Sequence, residues 1–325
     1  MKITLARSCA LLLAGSMFGF TPASAIAAFP DKPLRLVVGF SPGPGADNVA
    51  RTIGEAMSSR LGQPIVVENR AGANGAVATT YVMKAKPDGY TIFLTSVGHV
   101  VNPLVYSSQT QDPVKDFSHI GLVAEFPNVL VTSAKQPFNT VQELTEYAKK
   151  NPGKISYGSS GHGSSANLAG ELYKQTANVE LLHIPYSSGM PYADVISGEL
   201  TLAVPPMVSA MTLLQNPALK AIAVTSAQRA AAMPDIMTMA EGGIQDYETG
   251  VWYALIGPAG IPQETVDVLS KALNDAVKDP AVTEKLTAQG ATLGGAQSGE
   301  LAKFFEKENT KWARVIKNAG IGEQK

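Results

Sequence analysis

Two stretches of this chain repeat one uncommon pattern, and together they fix the kind of fold it can adopt. Residues 34–61, LRLVVGFSPGPGADNVARTIGEAMSSRL, run from a β-branched apolar strand through a loop of Gly, Ser and Pro into an amphipathic helix. Residues 155–174, ISYGSSGHGSSANLAGELYK, do the same, and the two strands close on Phe40 and Tyr157. β-branched runs alternate with helical stretches almost throughout, the signature of an α/β fold on largely parallel sheets. Strands are predicted at 34–40, 64–68, 91–95, 120–124, 129–132, 155–157, 181–184, 200–204, 221–225 and 253–257. In the first helix Val49, Ile53, Ala56 and Met57 share a face. Thr140 with Glu143 forms a capping box, Pro262 and Asp279-Pro280 open further helices, and Ser298 caps a long one through Lys317.

The first 28 residues stand outside this fold. Lys2 and Arg7 precede an apolar run at 10–20 that ends in small residues, the layout of a secretory signal peptide cleaved after ASA (23–25) or AIA (25–27). The apolar run is too short for a bilayer, which takes about 20 residues. Cys9, the single cysteine, falls in this leader and is not placed for lipidation, so the exported chain must be stable without disulfides. The remaining length suffices for two domains that together bury roughly 75% of the unfolded surface. Without Lys2 and Arg7 there are 24 basic and 27 acidic residues, a formal charge of −3 with no long charge run, which excludes nucleic acid as a partner. No later membrane span, fixed-period repeat or low-complexity tract is present in the sequence.

A glycine-rich turn between strand and helix invites a phosphate, but neither phosphate motif is here. A P-loop needs Lys and Ser or Thr at the helix start, where this chain has Ala46, Asp47 and Asn48. A dinucleotide fingerprint needs a third small residue where Asn48 stands, and Pro44 stiffens the turn. What remains is the physics those motifs exploit: free N–H groups at a helix start attract an anion, and small residues such as Ser41, Pro42, Gly43 and Gly163 let it approach the backbone. In open α/β sheets ligands lie beyond the carboxyl ends of the strands, so two such loops facing across a cleft would clamp a carboxylate. Ser159, Ser160, Ser164 and Ser165 add hydroxyl donors. Asp47 reads first as a helix N-cap, since its charge repels an anion, and Ser164 or Ser165 can cap the second helix. Phe40 and Tyr157 are candidate apolar walls. Ser96, Tyr186 and Pro205, each just past a predicted strand, join the candidate site.

Catalysis is the rival reading. Ser160 or Ser164 with His162 would make an exported serine hydrolase, but no G-x-S-x-G elbow exists and no group to orient the base can be named. The histidines at 99, 119, 162 and 183 show no metal spacing, so neither metal nor cofactor is expected. His99 and His162, flanked by glycine, are candidate pocket donors. His119 and His183 read as sheet residues, and Trp252 and Tyr253 as core or hinge packing.

Several stretches in order carry a resemblance: FPDKPLRLVV, GFSPGPGADNVAR, LGQPIVVENRAGANG, KAKPDGYT, VNPLVY, DPVKDF, PNVLV, NPGKISYGSSGHGSSANLAGELY, HIPY, AIAVTSAQRAAAMPDI and GPAGIP. Over essentially the whole exported chain it resembles a Bug-type periplasmic substrate-binding protein of the tripartite tricarboxylate transporter family. The resemblance implies a two-lobed, type II-like periplasmic binding fold, two α/β domains with a central ligand cleft and hinge, closing on a small carboxylate partly through ordered waters. It implies a discontinuous domain 29–128 plus 250–325 with 129–249 inserted, a monomer in the periplasm, and membrane permease subunits as partners. A ligand sensor feeding a signalling system is the alternative within binding. This chain departs from the family at the first loop, usually P-F-x-P-G-G-x-T-D, where Gly39, Pro44 and Ala46 replace a proline, a glycine and a threonine. Pro205 and Pro206 stand where many relatives carry Asp-Asn, which argues against an ammonium-bearing ligand, and Ser187 and Ser188 replace a lysine-glycine. With Phe40, Tyr157, Met190 and Pro205 around it, the pocket is expected to prefer an aromatic or aliphatic mono- or dicarboxylate over an amino acid or a citrate-like acid.

Overall fold

The computed structural model describes residues 29–43, 45–186, 192–295 and 298–321. The leader at 1–28, Pro44, Ser187, Ser188 and Met190 lie outside the described residues. In chain order the elements are β1 (Leu34–Val38), α1 (Ala46–Leu61), β2 (Ile65–Asn69), a 3-10 turn (Ala73–Gly75), α2 (Ala76–Met83), β3 (Thr91–Thr95), α3 (Gly98–Val105), β4 (Phe117–Pro127), β5 (Val129–Ser133), α4 (Val141–Lys150) and β6 (Ile155–Ser159). They continue as α5 (Ser165–Ala177), β7 (Leu181–Pro185), α6 (Tyr192–Ser197), β8 (Leu202–Ala203), α7 (Met207–Leu213), β9 (Leu219–Val224), β10 (Gly250–Pro258), α8 (Gln263–Val277), α9 (Pro280–Thr287), β11 (Thr292–Leu293) and α10 (Ser298–Ala319).

Local rules place most of these. Val49, Ile53 and Met57 of α1 are fully buried while Arg51 and Glu55 are exposed, each apolar side chain contributing about 1.5–3 kcal/mol. Gly62, at φ +67°, ends the helix in the left-handed conformation and donates its N–H to Ser58 O. Thr140 caps α4 by accepting from the Glu143 N–H at 3.2 Å, and Glu143 reaches back to the Asn139 N–H, one residue earlier than a standard capping box. Asp279 caps α9 with Pro280 as its first residue. Ser298 is itself the first residue of α10 rather than the residue before it.

The strands form a six-stranded sheet, β11-β4-β10-β3-β1-β2, and a five-stranded sheet, β7-β6-β8-β5-β9. The expectation of largely parallel sheets is corrected here. β1 pairs parallel with β2 and β3, and β6 with β7 and β8, but β10 runs antiparallel to β3 and β4, β11 to β4, and β5 to β8 and β9. A helical crossover within one sheet enforces parallel strands; β4, β5, β9 and β10 are instead where the chain passes between the sheets. Strand ends shift as well. β1 stops at Val38, and Gly39 then passes so close to Gly75 that a methyl group on it would meet the Gly75 backbone at 2.9 Å. β8 keeps two residues, with Pro205 and Pro206 beyond it offering no N–H, although the Pro205 carbonyl accepts from Val129 and Pro206 bridges to Asn128. β4 extends to eleven residues.

The chain passes between the sheets at Asn128, the single residue separating β4 from β5, and again between β9 and β10. One hydroxyl ties both crossings. Thr225 Oγ1 accepts the Asn128 N–H at 2.7 Å and lies 2.6 Å from the Thr249 carbonyl. Helix α10 packs on β4 and α3 and also reaches the second sheet's helices, with Gln175 Nε2 donating to Val315 O at 2.9 Å. Trp252 on β10 and Trp312 on α10, the only tryptophans, both donate to Glu308 Oε2 at 2.9 Å, and Trp252 and Tyr253 are buried as packing residues.

Candidate ligand-binding site

The first loop joins β1 to α1. Ser41 and Pro42 are exposed and Gly43 half-buried. Phe40 is drawn partly into the core beside β1, its carbonyl accepting from Asn69 Nδ2 at 3.0 Å, so it is less a free wall than expected. Helix α1 starts from Gly45, φ +104°, with no side-chain cap, which leaves its first-turn N–H groups facing outward. Asp47 is not the N-cap. It is the second helical residue, and its carboxylate accepts from the Gly43 N–H at 3.2 Å, from Asn69 Nδ2 at 2.9 Å and from Arg51 Nε and Nη2, each at 3.0 Å. Burial works to raise its pKa, but these hydrogen bonds and the Arg51 charge outweigh burial and hold the carboxyl below its ordinary range. The repulsion expected toward an anion is thereby offset locally.

The second loop joins β6 to α5 and is held by its own side chains. Ser164 caps α5, accepting from the Asn167 N–H and donating to Gly161 O at 2.8 Å. Ser159 is fully buried; its Oγ accepts the Gly161 N–H at 3.1 Å and lies 2.7 Å from His183 Nε2. Asn167 Oδ1 accepts the Gly163 N–H at 3.0 Å. Two of the four serine hydroxyls are therefore spent on loop shape. Exposed Ser160 and half-buried Ser165 keep hydroxyls with no hydrogen-bond partner among the described residues.

Tyr157 is not a pocket wall. It is 1% exposed, its hydroxyl donates to Glu171 Oε1 at 2.7 Å, and its ring lies against Gly170 of α5. Burial and the Glu171 charge raise its pKa and keep the hydroxyl protonated. His183 lies in β7 as expected, opposite Tyr157 in the β6–β7 register and stacked on its ring at 4.9 Å; its place beside Ser159 was not expected. Burial, then neighbouring His162, lowers the His183 pKa to about 4, so it is neutral beside Ser159. His162 sits edge-on to His183 at 5.1 Å, and its carbonyl accepts from Tyr106 OH at 3.1 Å.

His99 does not join this cluster. It is buried between Phe117 and Phe305 with Nε2 2.8 Å from Pro113 O, and burial lowers its pKa to about 4. Ser96 is buried two residues before α3, its carbonyl accepting the His99 N–H at 2.8 Å. Tyr186 donates its N–H to Ser159 O and its hydroxyl to Asp194 Oδ2, anchoring the end of β7 beside the serine loop. Pro205 is buried, and its carbonyl accepts the Val129 N–H at 2.9 Å. His119 lies in β4 as expected, with its Nε2 unpartnered.

Across the gap between the two sheets the serine loop meets α3 and the 3-10 turn: Asn74 Nδ2 donates to Gly163 O at 3.3 Å, and a methyl group on Gly163 would sit 2.9 Å from Val101 Cγ1. The first loop faces α7 across a cavity of ≈ 540 Å³ that Gly43, Asp47, Arg51, Met211 and Thr212 help to line. None of the serine-loop residues lines that cavity. Among the described residues no cluster of His, Cys, Asp or Glu is arranged to hold a metal ion, and no helix is long and apolar enough to cross a membrane.

This architecture is that of a two-lobed α/β periplasmic binding protein. It is similar to periplasmic binding protein BugD, at 35% identity and TM-score 0.81 over 91% of this chain and 100% of that one. It is similar also to an R. palustris protein with adipate, at 33% identity and TM-score 0.83 over 91% and 100%. Residues 49–321 match the family model of the tripartite tricarboxylate transporter family receptor. Protein BugT of Bordetella pertussis is 31% identical over 295 residues, 90% of each chain. The chain therefore belongs to the Bug-type receptors of the tripartite tricarboxylate transporter family. These are substrate-binding proteins and not enzymes, which removes the hydrolase reading. The geometry agrees: the serine bonded to histidine is buried Ser159 with His183, not Ser160 or Ser164 with His162.

Proposed function

We propose that this chain, after export and removal of its leader near residues 25–28, captures a small aromatic or aliphatic mono- or dicarboxylate and presents it, as a monomer, to the membrane permease subunits of a tripartite transporter. Residues 29–128 with 250–325 act as one lobe and 129–249 as the other, and they close about the crossings at Asn128 and Thr249. The observation that carries this reading is the serine loop. Ser159, Ser164 and Asn167 lock its backbone, so that Ser160, Ser165 and the start of α5 present donors with little left to reorganise. Adipate, bound to a relative, is an acid of the class proposed.

An amino acid is disfavoured because its ammonium group would need a carboxylate. Asp47 is already engaged by Arg51, Asn69 and Gly43, and Pro205 and Pro206 offer none. Calorimetric titration with adipate, benzoate, citrate and glutamate tests the assignment. Adipate or benzoate is expected to bind best; tight binding of glutamate with both acids silent overturns the reading.

A further inference from the structure

Asn128 is fully buried, and neither its side-chain nitrogen nor its side-chain oxygen has a hydrogen-bond partner among the described residues. Its backbone does not need the side chain. The Asn128 N–H donates to Thr225 Oγ1, and its carbonyl accepts the Thr225 N–H at 3.0 Å. An amide offers two donors and an acceptor oxygen, and burying them unpaired costs stability that an apolar side chain of similar size would not. Buried polar groups are paired as a rule, so an unpaired one at the junction of two lobes calls for a partner.

The sheet register says where that partner would come from. Leu202 lies between Tyr157 of β6 and Thr132 of β5, and Ala203 between Gly158 and Val131. Asn128 forms a bridge with Pro206, three residues further along. Counted from that register, Asn128 is level with the serine loop that follows Ser159, at the carboxyl edge of the parallel strands where α/β ligands bind. Strand alternation gives the face. Val129 and Val131 belong to the cluster of Val195 and Met207, whereas Leu130 packs in the cluster of Tyr157, Ala166 and Leu168. Asn128 shares the parity of Leu130, and so faces the side on which α5 begins.

We propose that Asn128 is a ligand-recognition residue at the floor of the cleft, donating from Nδ2 to an oxygen of the captured acid. This rests on the carboxylate reading above, and on the lobes parting to admit the acid to a side chain that is fully buried in this structure. A recognition group placed at a crossing couples the ligand to the hinge directly, because the same residue's backbone holds Thr225 and through it the second crossing.

The test is calorimetry with the acid that binds the wild-type chain best, repeated on Asn128→Leu and Asn128→Ala, with thermal unfolding of each ligand-free protein alongside. Recognition predicts a loss of affinity of about 10- to 100-fold in both variants, the worth of a hydrogen bond to a charged group. It also predicts a ligand-free Tm for Asn128→Leu no lower than wild type, so that lost binding is not lost folding. Either folded variant binding within about twofold of wild type overturns the assignment to Asn128 alone. A wild-type chain that binds no acid of the panel overturns the carboxylate reading, and this assignment with it.

Discussion

His99 and His183 contribute to the pH dependence of stability; burial lowers His119 in the same direction, whereas burial raises Glu125, which acts in the opposite one. Burial lowers His99 and His183 from 6.5 to about 4, and for His183 the neighbouring His162 adds to the effect. Above pH 6.5 both are neutral folded or unfolded, and neither weakens the fold. As pH falls from 6.5 toward 4, the unfolded chain takes up protons that the folded chain refuses, so stability declines through that window. The free energy of unfolding in urea is therefore expected to be lower at pH 5 than at pH 7, and His99→Gln to flatten the slope; a wild-type slope that is already flat would contradict the buried, neutral assignment. At this scale the sequence is readable where the chemistry is local. Thr140 with Glu143 and Asp279 with Pro280 announce their helices within four residues. Tyr157 is different: its side chain turns toward α5 rather than the cleft, and that depends on which face the helix covers. The place of His183 beside Ser159 stayed hidden for the same reason, since only strand register brings the two together.

The serine loop and α3 illustrate how elements from the two sheets depend on one another. Gly163 has φ +75°, where a side chain is strained, and a methyl group there would press on Val101 Cγ1 at 2.9 Å. Gly163→Ala is expected to cost about 1–3 kcal/mol of stability and to weaken ligand binding by pushing the loop off α3. Thermal unfolding and titration of the variant check both, and a variant with wild-type Tm would show that the loop does not rest on α3. The positions of β1 to β10 and of α1, α4, α5, α8, α9 and α10 were legible from the apolar pattern of nearby residues, whereas the short helices α2, α3, α6 and α7 were not predicted. Strand direction was not legible. β10 and β4 lie far apart in the chain yet run antiparallel as neighbours, a consequence of the chain's return between the sheets that no local pattern records. The two-residue β11 is too short to leave a periodic signal.

Over the whole molecule, the two sheets are joined by the crossings at Asn128 and Thr249, by the packing of α10 against both sets of helices, and by the serine loop resting on α3 and the 3-10 turn. Thr225 clasps the two crossings with one hydroxyl, while Glu308 ties α10 to β10 by accepting from both tryptophans and Gln175 of α5 donates to Val315 O of α10. In the function proposed, the acid is held by two loops that the sequence displays as a repeated motif, and the geometry gives them unequal parts. The first loop is neutralised through Asp47 and Arg51 and faces α7, while the serine loop holds the free hydroxyls. The most direct measurement is a crystal structure with the tightest-binding acid of the calorimetric panel. The account predicts one carboxylate about 3 Å from the donors of residues 160–165, with the two lobes closed around it. An acid found elsewhere, with the serine-loop donors left to solvent, would contradict it.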